Sequence, residues 1–291
     1  MNQNRREIPL SSQDLNTTQA PTPEKYQKAL KDLEEANKNL RRLDKAKDEF
    51  VSIASHELRS PMSVIKGYVS MILAGEVGEM NQEAREVLTE IMVAIERQIR
   101  LVNDLLNVSR IESGAITLKL REQVDIQNLA ALLIQSLKPV IGQKNIVLNI
   151  ETPKSPLPKV QADSDMIVQI LINLVSNALK FTTAGSVVIS FEVKGEYLIT
   201  KVRDTGVGIP KEEQEHLFEK FSPIATKITR ISGGTGLGLY ISKNLANLQG
   251  GDVWLEESSL NQGSTFCLSL PISGTRTAKN SLQNLQKEGG N

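Results

Sequence analysis

Between Tyr26 and Ile111 apolar residues return every third or fourth position for more than eighty residues, with one interruption. Few folds accept such a pattern, because it demands two very long amphipathic helices. Tyr26, Leu33 and Leu40 recur seven apart, and Ala29, Ala36, Leu43 and Phe50 form a second series three places later, with mostly charged residues between. This is an a/d seam, and it predicts a coiled-coil helix over 23–49. A single amphipathic helix lying on the following domain is the alternative left open. Val51, Ala54, Leu58, Met62, Ile65, Val69 and Ile72 carry the helix on until Gly75-Glu-Val-Gly78 breaks it. A second helix then runs through Val87, Ile91, Ile95, Ile99, Val102, Leu106 and Ile111 to Ser113-Gly114. Residues 50–115 are thus expected to form a helical hairpin. A hairpin leaves a wide apolar stripe uncovered unless a second copy pairs with it, so a homodimeric four-helix bundle is predicted. Residues 1–22 hold too little apolar surface to offset ordering and are expected to be a disordered tail.

Beyond Gly114 strand-like runs alternate with helical ones. Strands are predicted at 146–150, 186–193, 197–202, 251–255 and 264–270, and helices at 164–181 and about 237–248. Hairpin-linked strands with helices kept apart from them predict an α+β sandwich over 116–273, a mixed sheet with helices on one face. Pro271 closes it, and residues 274–291 read as a flexible polar tail. Thirty-four basic residues balance thirty-four acidic ones, so no net field favours nucleic acid as a partner. The single cysteine, Cys267, lies in an alternating strand and reads as a small buried hydrophobe. No apolar run reaches the ~18 to 20 residues that span a bilayer, and the first residues lack the order of a signal peptide. A soluble, cytoplasmic chain is expected. No folded segment is expected before the coiled coil, so either a partner protein acts on it or the chain is an excerpt of a longer one.

Only two histidines occur, and His56 sits within the first long helix. Glu49, Ser52, Arg59, Ser60 and Ser63 share its face, whereas Ala54 and Leu58 point away, so its imidazole is expected to be solvated. Pro61 lies inside the helix and denies the Glu57 carbonyl its donor, which predicts a kink about one turn past the histidine. The stretch Phe50-Val-Ser-Ile-Ala-Ser-His-Glu-Leu-Arg-Ser-Pro-Met62 resembles the H box of the two-component sensor histidine kinases. That resemblance implies that His56 accepts the γ-phosphoryl group of ATP and that Glu57 removes the other ring proton. A neutral imidazole has a free lone pair near pH 7, and a carboxylate taking its second proton lets charge leave as the P–N bond forms. Adjacent helical residues lie about 100° apart, so Glu57 must fold back to do so. Ser60 stands where family members that also dephosphorylate their partner carry Thr or Asn. The hypothesis that its hydroxyl serves that role fails if a Ser60→Ala variant releases phosphate from the phosphorylated partner at an unchanged rate.

The helix at 164–181 is apolar except for one line, Gln169, Asn173, Asn177 and Lys180. Amides facing a packed interior cost about 1–3 kcal/mol each if unsatisfied, so the line calls for a polar ligand or a structural hydrogen-bond network. Asn173-Leu-Val-Ser-Asn177-Ala-Leu-Lys180-Phe181 is similar to the family's N box, which implies Mg²⁺ on Asn177 and phosphate-end contacts from Asn173 and Lys180. Asp204-Thr-Gly206-Val-Gly208-Ile209-Pro210 resembles the first glycine box, implying that Asp204 accepts a hydrogen bond from the adenine amino group and that Ile209 covers the ring. Phe218-Glu-Lys-Phe221 matches the F box. Gly233-Gly-Thr235-Gly236-Leu237-Gly238 looks like the second glycine box, at a helix start where backbone N–H groups attract phosphate.

Residues 222–234 would then be a lid over ATP. The family commonly has an aromatic and an Arg directly after the F box, and here Ser222-Pro223 stands instead. Lys220, Lys227 and Arg230 are the candidates for the missing phosphate contact. His216 reads as a surface residue. The second half alone would equally suit the ATPases of DNA gyrase, mismatch repair and heat-shock chaperones, and a non-catalytic dimeric scaffold is a third reading. The H-box hairpin favours the kinase. The resemblance covers roughly residues 24–273 and implies a homodimer that passes phosphoryl to an aspartate of a response regulator receiver domain.

Overall fold

A computed structural model describes residues 23–142, 145–153, 155–222 and 234–280. The chain divides into two compact units between Lys47 and Asp48. Helix α1 (Pro23–Leu73) begins in the first and ends in the second. Within the first unit the seam residues Leu33, Leu40 and Leu43 are all exposed, as an unpaired seam would be.

In the second unit α1 turns through residues 74–77 into α2 (Gln82–Glu112). Asn81 caps α2 by accepting from the Ala84 N–H at 2.8 Å, which satisfies one of the donors every helix start leaves unpaired. Arg59 reaches Asn103, Lys66 pairs with Glu96, and the Arg85 guanidinium donates to the Leu73 carbonyl. The pairs run in opposite directions along the two helices, so α1 and α2 form an antiparallel hairpin. Helix α1 continues through Pro61 without a break.

The remaining elements are β1 (Arg121–Val124), α3 (Ile126–Ile141), β2 (Ile146–Ile150), β3 (Val160–Ala162), α4 (Ser164–Phe181), β4 (Gly185–Lys194), β5 (Tyr197–Asp204), the short α5 (Lys211–Gln214), α6 (Gly238–Leu248), β6 (Asp252–Ser259) and β7 (Gly263–Pro271). The main sheet runs β2-β4-β5-β7-β6; β2 lies parallel to β4 and every other neighbour is antiparallel. Cross-strand partners place Leu148, Val187, Val202, Phe266 and Leu255 on one face, against α3, α4 and α6. Helices on one face of a mixed sheet are the predicted α+β sandwich. From α4, Ile167, Ile170, Leu171 and Leu174 are almost fully buried, each stabilising the fold by roughly 1.5–3 kcal/mol. On the opposite face Lys201 bridges Glu192 at 3.0 Å and Glu256 at 2.8 Å. Cys267 is fully buried, and burial pushes its thiol up to about 12.

Two differences from the sequence expectation stand out. Helix α3 and the β1-β3 ribbon occupy a region where no element was placed. The chain also does not come loose at residue 274. Ile272 bridges to Val160, residues 276–280 are helical, and Ala278 is fully buried while its carbonyl accepts from Gln161 Nε2 at 2.9 Å. Only residues 281–291 of the expected tail lie outside the described part, as do residues 1–22.

Candidate functional site

Three segments converge at one end of the sheet on a cavity of about 580 Å³. The first is α4. Asp163 starts it by accepting from the N–H groups of Asp165 and Met166, and its apolar stripe is committed to the core. The polar line Gln169, Asn173, Asn177 and Lys180 therefore faces away from the sheet, and all four residues line the cavity. Asn173 is already engaged. Its Nδ2 donates to Ser242 Oγ at 2.8 Å, its Oδ1 accepts from Asn177 Nδ2 at 3.5 Å, and a Cβ on Gly238 would collide with its amide. Asn173 thus ties α4 to α6. Asn177 keeps its Oδ1 without a hydrogen bond from any described residue.

The second segment follows β5. Asp204 ends that strand on its core-facing side, only 5% exposed, and accepts from the Gly206 N–H at 2.8 Å. Burial raises its carboxyl above the usual range, and the Gly206 and Ser264 N–H groups pull it partly back. Gly208 takes φ 67° where a Cβ would run into the Ser259 carbonyl, so this turn suits glycine alone. Asp204, Gly208 and Ile209 line the cavity, whereas Gly206 lies just outside the lining.

The third segment leads into α6. Thr235, Gly236 and Gly238 line the cavity, but Leu237 does not: its side chain is fully buried in the core. The F box also departs from expectation. Phe218 packs against the core beneath Lys243, 4.9 Å from its ring centre, and Phe221 is exposed at φ 52°. Leu217 and Ser222, on either side of that box, line the cavity instead. Lys227 and Arg230 lie outside the described residues. His216 is exposed and bonded to Glu219 at 2.9 Å, which raises its pKa.

A fourth wall was not anticipated. Helix α2 lines the cavity with Arg100, Asn103, Asp104 and Asn107. Thr235 Oγ1 donates to Asp104 Oδ2 at 2.6 Å, and Lys220 pairs with Glu112. Burial raises the Asp104 carboxyl, opposed by the Thr235 bond and by Arg100. Lys180 is lowered, first by burial and then by the charges of Arg100 and Arg97. The signal for this wall was polar residues at positions 100, 103, 104 and 107 of an otherwise apolar stretch, a pattern that solvent exposure explains equally well.

His56, Glu57 and Ser60 are absent from the cavity lining and exposed on α1. The His56 side chain is 78% exposed, and its Nδ1 lies 3.7 Å from Glu57 Oε1, so Glu57 does fold back toward its neighbour. Three residues on, Arg59 donates to Asn103 Oδ1 from Nε at 3.1 Å and from Nη2 at 2.5 Å. Asn103 is shared between the helix bearing the histidine and the cavity wall.

A helical hairpin displaying one exposed histidine, joined to an α+β sandwich with a cavity that carries a line of polar side chains, defines a phospho-acceptor module coupled to an ATPase-type domain. Residues 46–114 match the His Kinase A (phospho-acceptor) domain, and residues 162–274 match the histidine kinase-, DNA gyrase B-, and HSP90-like ATPase family. The circadian input-output histidine kinase CikA of Synechococcus elongatus is 38% identical over 229 residues, 78% of this chain and 30% of the relative. The sensor histidine kinase WalK of Bacillus subtilis is 35% identical over 233 residues, 79% of this chain and 37% of the relative. The structure of full-length ShkA in complex with AMPPNP superposes with a TM-score of 0.63 at 31% identity, covering 78% of this chain and 46% of that one. The chain belongs to the two-component sensor histidine kinases. It spans about a third of the length of these curated relatives. Among the described residues no helix is long and apolar enough to cross a membrane.

Proposed function

We propose that this chain is the catalytic core of a protein-histidine kinase: it binds Mg-ATP in the cavity, transfers the γ-phosphoryl group to His56, and passes it to an aspartate of a response regulator. The observation that carries the proposal is the pairing of an exposed imidazole, with a carboxylate beside one ring nitrogen, and a nucleotide-sized cavity lined by the N-box and glycine-box residues. The relative solved with AMPPNP supports ATP as the nucleotide.

Because Glu57 lies beside Nδ1, Nε2 is the nucleophile. With the proton on Nδ1, the Nε2 lone pair attacks the γ-phosphorus; the P–N bond forms, the bond to the β,γ-bridging oxygen breaks, and ADP leaves. Glu57 takes the Nδ1 proton as positive charge builds on the ring. Asp204 accepts from the adenine amino group, and Ile209 lies against the ring. Thr235, Gly236 and Lys180 hold the phosphate end, where backbone donors and a cation complement its charge. The free Oδ1 of Asn177 fits Mg²⁺, a hard cation that suits a neutral oxygen ligand and neutralises charge on the phosphates when bound. The phosphorylated imidazole then yields its phosphoryl group to a receiver-domain carboxylate, the P–N bond breaking as the acyl phosphate forms. A homodimer fits the exposed apolar stripe of the hairpin, which includes Leu58, Ile65 and Tyr68.

Incubation with γ-labelled ATP tests the central step. Acid-labile, alkali-stable label is expected on the native chain and absent from His56→Gln. Label that persists in that variant would overturn the assignment.

A further inference from the structure

ATP carries up to four negative charges, and the catalytic domain alone offers few described cations to meet them. Lys180 is one; its ammonium makes no described ion pair and rests 4.9 Å from the centre of the Phe181 ring. The position after Phe221, where the family resemblance leads one to expect an aromatic and then an arginine, holds Ser222. This serine is only 4% exposed, lines the cavity, and its Oγ has no hydrogen-bond partner among the described residues. A buried hydroxyl that no described residue pairs is open to a polar group entering the cavity.

Across the cavity stands Arg100 of α2. Its guanidinium makes no hydrogen bond or ion pair with any described residue, although Asp104 is on the same wall. The Asp104 carboxylate is instead held by Thr235. Two cations, neither in an ion pair with a described residue, thus line the same cavity. Burial first, and then the charges of Arg100 and Arg97, lower the proton affinity of Lys180. Two cations and a buried hydroxyl lining one cavity offer the charge and the hydrogen-bond donors that a polyphosphate calls for. Arginine suits the task better than lysine, since its planar fork can hold two phosphate oxygens at once.

We propose that Arg100 binds the phosphates of ATP, with Ser222 as a second contact, so that the hairpin helix α2 completes the nucleotide site of its own chain. This rests on the reading of the cavity as an ATP site. It assigns to the hairpin a contact that the F-box side of the cavity does not supply. It also makes the phosphate chain a link between the ATPase domain and the hairpin, so that a nucleoside without phosphates would bind the ATPase domain without engaging α2.

Calorimetric titration of the full chain with Mg-ATP and with adenosine tests the proposal. Arg100→Ala should weaken Mg-ATP binding by about tenfold to a hundredfold, the usual effect of deleting a charge-assisted hydrogen bond, and leave adenosine within about twofold of native. Arg100→Lys should recover part of the loss, and Ser222→Ala should weaken Mg-ATP severalfold. Native-like Mg-ATP affinity in Arg100→Ala overturns the inference while leaving the ATP site intact, all the more if Arg230→Ala produces the loss instead. Equal loss of ATP and adenosine in Arg100→Ala also overturns it, by marking the residue as structural. A native chain that binds neither ligand removes the ATP reading itself.

Discussion

At the end of β5 the Asp204 carboxylate meets opposite demands in the empty and the loaded protein. In the empty fold burial disfavours its charge and raises its pKa above the ordinary 3.8. A folded-state pKa above the unfolded one means that the ionised carboxylate costs stability at neutral pH, and that this cost is relieved as pH falls through the raised value. Adenine imposes the reverse, because only the ionised form offers every lone pair to the amino group. Acidification should therefore relieve the Asp204 cost in the empty fold and weaken adenosine binding over the same interval, starting at a higher pH than an ordinary aspartate would titrate. Asp204→Asn should bind adenosine about tenfold to a hundredfold more weakly at neutral pH and lose the Asp204 contribution to both trends. Thermal midpoints and adenosine affinities measured across pH 3.5–7 would check this, and a native chain whose affinity tracks that of the variant in shape would refute it. The place of Asp204 in the cavity wall was legible only through the resemblance of Asp204-Thr-Gly206-Val-Gly208 to the first glycine box, since such strings are more often plain turns. That of Arg100 was not, because one arginine on a long helix reads as a solvated side chain until a second element is packed against it.

Elements were legible to the extent that their signals are local. Helix α4 was expected at 164–181 and lies at Ser164–Phe181, because Asp163 caps it and its apolar residues recur without a break. Helix α3 carries the same kind of signal: Asp125 accepts from the Asn128 N–H at 3.0 Å, and Ile126, Ala130, Leu133 and Ile134 recur at helical spacing and are buried. It was available to the same rule, although Pro139 and Gly142 near its end read as breakers. Strands β1 and β3 are different. With four and three residues they are too short to show alternation, and their pairing joins Arg121 to Ala162 across the whole of α3 and β2. The docked helical turn at 276–280 escapes for the same reason. Its sequence is polar, and what holds it is remote: Glu196 receives the Thr277 N–H, and Gln161 donates to the Ala278 carbonyl.

Over the whole molecule two kinds of surface on the hairpin must be kept apart. Polar residues of α2 face the ATPase domain of the same chain, through Asp104 and Thr235 and through Glu112 and Lys220. Apolar residues such as Leu58 and Ile65, seven apart on one face of α1, remain exposed, and burying a side chain of this size is worth about 1.5–3 kcal/mol. A second hairpin would cover them, so dimer formation and nucleotide binding draw on different residues and should separate on mutation. Replacing Ile65 with aspartate places an unpaired charge in the proposed seam, at a cost of several kcal/mol per copy on association. Ile65→Asp should therefore sediment as a monomer at concentrations where the native chain is a dimer. Its affinity for Mg-ATP should stay within about twofold of native, because Lys180, Asp204 and Arg100 all belong to one chain. An Mg-ATP affinity that collapses in step with the dimer would mean that the partner chain builds part of the site, and that the α2 wall seen within one chain is not the one that ATP meets.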